Sequence, residues 1–78
     1  MWYVYILLCE DGSLYTGSTN NLEKRFKAHL EGKGSRYTRS HKPLKIVYKE
    51  GFETKSEALK REIKIKNLDK INKTKLLN

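Results

Sequence analysis

Cysteine is almost missing from this sequence. Cys9 stands alone, so no intramolecular disulfide can form and no set of thiolate ligands can be assembled. That excludes a disulfide scaffold, makes a zinc site unexpected, and fits a reducing compartment. Acidic residues are scarce beside basic ones: nine Asp and Glu against 17 Lys and Arg, a net charge of +8. Long apolar runs are absent too. The longest, Trp2 to Cys9, is closed by Glu10-Asp11-Gly12. It falls well short of a membrane span and has no basic leader, so it reads as a strand and the protein is expected in the cytoplasm. No repeat, linker or low-complexity segment interrupts the 78 residues. One domain, 1–78, is the expectation.

A chain of this length buries only about 60% of the surface its unfolded form exposes. It also carries self-repulsion from its excess charge. A polyanionic partner is the simplest reason to keep that charge, and nucleic acid is the commonest such partner. The plainer alternative is a basic surface that serves solubility. A membrane surface is not expected, since no helix combines a bulky apolar face with a purely basic one.

Trp2-Tyr3-Val4-Tyr5-Ile6-Leu7-Leu8-Cys9 is aromatic, aliphatic and β-branched throughout, the pattern of a central strand covered on both faces. Ser13-Leu14-Tyr15-Thr16-Gly17-Ser18 follows as a second strand. Two hairpin loops are open. A two-residue Asp11-Gly12 loop sets Leu8 opposite Tyr15. A three-residue Glu10-Asp11-Gly12 loop pairs Leu7 with Tyr15 and puts Tyr5, Leu7, Tyr15 and Gly17 on one face. Asn20 or Asn21 caps a helix to about Leu30, stopped by Gly32, with Leu22, Phe26 and Leu30 as its core stripe. Arg25 and His29 lie one turn apart beside that stripe. Residues 32–43 read as a loop, and residues 45–50 as a third strand. Thr54-Lys55-Ser56-Glu57 is a capping box opening a helix to about Asn67. Its inward positions are expected to be Ala58, Leu59, Glu62, Ile63 and Lys66. Asp69 caps a last short helix. The fold class is α/β in the α+β sense, with a three-stranded antiparallel sheet flanked by helices in the order β-β-α-β-α-α.

Five residues could carry chemistry. Tyr5 and Tyr15 lie on strands, where packing is the plainer role. Arg25 and His29 share a helix face. Glu62 falls among apolar positions and so needs a cation, which is Lys66 one turn on in the plainer reading and a metal in the other. Arg36, Tyr37, Arg39, His41 and Lys42 interleave cations with an aromatic, a pattern that can neutralise phosphates and stack on a base.

The order and spacing of Tyr3-Val4-Tyr5, Tyr15-Thr16-Gly17 and the Arg25/His29 helix resemble the GIY-YIG nuclease superfamily. Together with Asp11-Gly12-Ser13-Leu14 and residues 32–38, they look like its small stand-alone bacterial UPF0213 group. The first motif's glycine and isoleucine are replaced here by Tyr3 and Val4. The resemblance implies a GIY-YIG endonuclease-like fold and a hydrolase of phosphodiester bonds in nucleic acid. DNA is favoured over RNA, and repair or recombination is the implied setting. Carried over, the active site is Tyr5, Tyr15, Arg25 and Glu62, with Gly17 at the motif's final glycine and His29 at a position shared with relatives. Asn72 is the candidate for a downstream asparagine found in many of them. The expected cofactor is one divalent ion, Mg²⁺ or Mn²⁺, held by Glu62. Tyr5 or His29 is the expected proton acceptor, the former if Arg25 lowers its pKa. A protein partner for targeting fits so small a nuclease. The competing expectation is a catalytically silent nucleic-acid-binding module with the same fold.

Overall fold

The computed structural model describes residues 1–77. Strand β1 (Trp2–Cys9) lies at the centre of a three-stranded antiparallel sheet of order β2-β1-β3, flanked by β2 (Leu14–Thr19) and β3 (Pro43–Phe52). Its unbroken apolar run has the expected cause. Val4 to Leu7 are all buried because both sheet faces are covered. Pro43, which cannot donate to a ladder, begins the outer strand β3, where no donor is needed.

The hairpin uses the three-residue loop. Leu7 faces Tyr15 and Tyr5 faces Gly17, and the Cys9 amide donates to Ser13 O at 2.9 Å. Gly12 sits at φ +84°, the left-handed residue that this turn and bulge require. Asp11 locks the turn, its Oδ1 accepting from the Ser13 hydroxyl and amide at 2.6 and 3.0 Å. Those bonds hold the Asp11 carboxyl below its ordinary pKa. A one-residue slip would have moved Tyr15 to the opposite face.

Helix α1 (Leu22–Leu30) is capped by Asn21, whose side chain accepts from the Lys24 amide. Gly32, at φ +76°, ends it as expected. The stripe differs from the expected one. Leu30 is exposed, Leu22 and Phe26 are half-buried, and the residue α1 buries is His29. The helix is rotated toward the polar face because a hydrogen-bonded partner for His29 waits there. The stretch expected as loop is not wholly loop, for Arg36–Ser40 forms a five-residue helix, α2, capped by Ser35. With few apolar residues it offered no periodic signal.

Helix α3 (Lys55–Lys66) opens on the Thr54 capping box, with Thr54 accepting from the Glu57 amide. Its inward stripe is Ala58 and Ile65, with Arg61 and Glu62 half-buried, whereas Leu59, Ile63 and Lys66 are exposed. The expected stripe was therefore shifted, because Arg61 takes an inward place to meet Glu50 at 3.0 Å. Asp69 caps α4 (Lys70–Leu76). The apolar core lies between α3 and the Val4/Ile6 face of β1. The fully buried Ile6 and Ile65 each contribute roughly 2 kcal/mol. The opposite face of the sheet, bearing Tyr5 and Tyr15, meets α1 and α2.

Gly12→Ala tests the loop. A Cβ there meets nothing within 4 Å, so the cost is backbone strain alone, about 1 kcal/mol. A urea midpoint unchanged by that substitution would reject the left-handed turn.

Candidate active site

On the polar face of the sheet the most buried side chains are hydrogen-bonding ones. Tyr5 and His29 are 1% and 0% exposed, and the Tyr5 hydroxyl shares a 2.8 Å hydrogen bond with His29 Nε2. The other ring nitrogen, Nδ1, lies 2.7 Å from Thr38 Oγ1. Thr38 is anchored in turn by Ser35, the α2 cap, at 3.0 Å. A line of polar contacts thus crosses β1, α1 and α2, and the tautomer that leaves Nε2 free to accept lets Nδ1–H donate to Thr38.

Two glycines make room for this line. A Cβ on Gly17 would lie 2.6 Å from the Tyr5 hydroxyl oxygen, and one on Gly34 would overlap the His29 ring. Gly17 is the residue opposite Tyr5 in the register, so its lack of a side chain is what allows the phenol to lie across the strand.

Arg25 stands one turn before His29. Its Nη2 donates to Gly34 O at 2.8 Å, and its buried Nε has no acceptor among the described residues. The guanidinium acts on both members of the pair. Burial pushes the Tyr5 phenol up to about 12, outweighing the pull of Arg25 in the other direction, while Tyr15 and Glu62 raise it further. Burial, followed by repulsion from Arg25, lowers His29 to about 4. The expectation that Arg25 and the net positive charge bring Tyr5 toward neutrality is therefore overturned, because desolvation of the phenolate is the larger effect. Both groups are neutral at pH 7.

Tyr15 packs beside them, its ring centroid 6.4 Å from Tyr5 and 5.1 Å from His29. Glu62 comes from α3, on the sheet's other face. Ser18 Oγ, on the edge strand, donates to its Oε1 at 2.6 Å, and Lys66 Nζ lies 2.7 Å from Oε2. The plainer pairing is thus present, yet the Glu62 charge still registers at Tyr5. The structure therefore brings Tyr5, Tyr15, Arg25, His29 and Gly17 together, while Glu62 stands on the sheet's other face, held by Ser18 and Lys66.

The other candidates lie further out. Tyr37 stacks on Tyr15 at 5.9 Å, and His41 stacks on Tyr37 at 4.0 Å and 5°. Arg36, Arg39 and Lys42 are exposed around them. Asn72 is exposed on α4, where its backbone amide serves the Asp69 cap. Ser18, Gly34, Ser35 and Thr38 were missed by the sequence reading. The signal for the last two was Ser35-Arg36-Tyr37-Thr38, a cap followed three residues on by the hydroxyl it holds.

A family model described as the GIY-YIG catalytic domain matches residues 1–75. A UPF0213 protein of Clostridium perfringens is 58% identical over the whole chain and 84% of its own length. One of Staphylococcus saprophyticus is 50% identical over 97% of this chain and 93% of its own. Among solved structures, the NMR structure of a UPF0213 protein from Bacillus halodurans is similar with a TM-score of 0.63 and 44% identity. That match covers 99% of this chain and 83% of the other.

The His29 environment predicts an acid-sensitive fold. An unfolded histidine titrates near ~6.5, whereas His29 titrates at about 4. Between those values the unfolded chain binds the extra proton, so stability is complete above ~6.5 and falls as pH drops toward 4, by roughly 3 kcal/mol at most. Urea unfolding followed across this window should show the loss, and His29→Gln should flatten it. Equal slopes in the two proteins would refute the assignment. Gly34→Ala should also unfold more readily, by about 1–3 kcal/mol, because the His29 ring must move.

Proposed function

The chain belongs to the GIY-YIG catalytic domain family, and from that premise we propose that it hydrolyses phosphodiester bonds in nucleic acid, with DNA the favoured substrate and repair or recombination its setting. The observation that carries this reading is the placement of Arg25. Its buried Nε lacks a protein acceptor immediately beside the Tyr5–His29 pair. Arg25 as a whole is only half-buried, so the accessible part of its guanidinium can meet a phosphate oxygen beside that pair.

The donor set at Glu62 suits a hydrated hard cation. One carboxylate and the Ser18 hydroxyl are present, and no group of three or more His, Cys, Asp or Glu suited to a metal occurs among the described residues. Magnesium commonly keeps several waters and takes one or two carboxylates plus substrate phosphate. Glu62 is the residue that would hold one Mg²⁺ or Mn²⁺, whose chemistry there is to withdraw charge from the phosphate. Lys66, half of its side chain in solvent at 51%, is the counter-charge that such an ion would displace from Glu62.

The chain's own residues account for the proton. Tyr5 is too weakly acidic to wait as phenolate, so it acts as a relay. Its oxygen takes the proton of the attacking water as its own proton passes to His29 Nε2. A new P–O bond forms to that water, the bond to the leaving oxygen breaks, and solvent protonates the leaving oxygen. The imidazolium so formed is held by Thr38 at Nδ1. Burial, and after it repulsion from Arg25, disfavours it in the resting protein. A bound phosphate offsets the Arg25 charge, so substrate itself makes His29 a better base. Arg25 meanwhile binds more strongly as charge accumulates on the phosphorus oxygens.

A panel of labelled DNA and RNA, single-stranded, duplex and branched, tests this with Mg²⁺, Mn²⁺ and EDTA. Metal-dependent product is expected, more from DNA than RNA. It should fall by about 100-fold or more in Arg25→Ala and vanish in Glu62→Ala without loss of binding. Salt-sensitive binding with no product under any condition would replace the enzyme by a nucleic-acid-binding module.

A further inference from the structure

Beside the polar line lies a cavity of about 230 Å³ lined by Ser13, Leu14, Tyr37, Lys70 and Lys73. Its volume is below the ~300–1,000 Å³ of pockets that enclose whole small ligands, so it suits one unit of a polymer better than a free molecule. The geometry points to a flanking-nucleotide subsite in this cavity, in which Lys70 and Lys73 of α4 hold a phosphate and Tyr37 with Leu14 forms the apolar wall. The inference rests on the nuclease reading and extends it to a helix that carries none of the reacting groups.

Three features support it. Tyr37 forms the wall and also stacks on Tyr15 at 5.9 Å, and Tyr15 lies 6.4 Å from Tyr5. The cavity wall is therefore linked to Tyr5 through two tyrosine rings, Tyr37 and Tyr15. That wall is set in advance, because His41 stacks on Tyr37 at 4.0 Å with the rings 5° from parallel. The third feature is the lysine pair. Lys70 and Lys73 are three residues apart and share a helix face. Neither has an acidic partner among the described residues, whereas Lys42 and Lys66 do. Lys73 is also half-buried, so it has less side-chain freedom to lose when it meets an anion. Two cations beside an aromatic and an aliphatic surface match a phosphate joined to a sugar and base.

The test measures binding in EDTA, where turnover plays no part. Fluorescence anisotropy with short labelled DNA, single-stranded and duplex, is followed as a function of salt. Lys70→Gln/Lys73→Gln is compared with Lys60→Gln/Lys64→Gln, which removes the same two charges from exposed sites on α3, and circular dichroism checks folding of each. The α4 double variant should bind single strands about tenfold more weakly. The slope of log affinity against log salt should fall by ~0.7, for the one phosphate no longer neutralised. The α3 variant should keep the wild-type slope, and Lys70→Arg/Lys73→Arg should restore it. An α4 double variant that binds like wild type or like the α3 variant overturns the subsite, as does a wild-type protein that binds neither form of DNA. Wild-type binding without cleavage, together with the α4 effect, upholds the subsite while removing the nuclease reading.

Discussion

The hydrogen bond between the Tyr5 hydroxyl and His29 Nε2 is the constraint around which the polar half of this molecule is arranged. At 2.8 Å and out of water, it ties the central strand to the first helix. Leaving either group buried and unpaired would cost about 1–3 kcal/mol. Several features of the sequence follow from keeping it. Gly17 has no side chain because the phenol occupies that space, and Gly34 has none because the imidazole does. Thr38 and its cap Ser35 give the second ring nitrogen a partner. The hairpin loop must have three residues, since only then does Gly17 rather than a bulkier neighbour lie opposite Tyr5. Helix α1 even turns its leucines partly outward so that His29 can point in.

The electrostatics of the pair follow from the same burial. In a wetter site Arg25 would draw the phenol down and leave His29 near its usual value. Here desolvation dominates both, raising one to about 12 and lowering the other to about 4. The resting site therefore holds one permanent cation, Arg25, and two neutral groups whose charging depends on what binds. Glu62, on the sheet's other face, is paired to Lys66 and Ser18. Such a site responds to an anion more strongly than a pre-charged one, because the arriving charge changes the proton affinity of His29 as well as contacting Arg25.

Much of this was legible in the sequence, for identifiable reasons. The central strand was plain from eight apolar residues in a row. The caps at Thr54 and Asp69 were plain from side chains that can accept from a helix amide, and the first was narrowed to Asn20 or Asn21, of which Asn21 is the cap. The resemblance carried by Tyr5, Tyr15, Gly17, Arg25 and His29 named residues that the fold brings together. The helical stripes were read less well because polar residues took inward places. Apolar periodicity sets His29 only beside the stripe, leaves Arg61 off it and puts Leu30, Leu59 and Ile63 inside, whereas hydrogen-bond partners draw His29 and Arg61 inward and leave those three exposed. Short α2 had no apolar period to detect. The pKa directions were not legible, since they depend on how much water reaches each group.

A chain this small has difficulty stabilising itself on apolar burial alone, yet one of its two layers is devoted to Tyr5, His29 and Thr38. The compromise is visible in how the layers divide the work. Val4, Ile6, Ala58 and Ile65 form a dry core on one side of β1, while on the other side each buried polar group of the Tyr5–His29–Thr38 line has a partner. A satisfied polar layer is rigid, because its hydrogen bonds fix direction as well as distance. Rigidity at the reacting centre then leaves adaptability to the rim. The exposed cations of α2 and the lysines of α4 can move to follow a flexible polyanion without disturbing the Tyr5–His29 bond. The net charge of +8 is thus spread largely where water screens its self-repulsion, while half-buried Arg25 keeps a buried donor that no described residue satisfies.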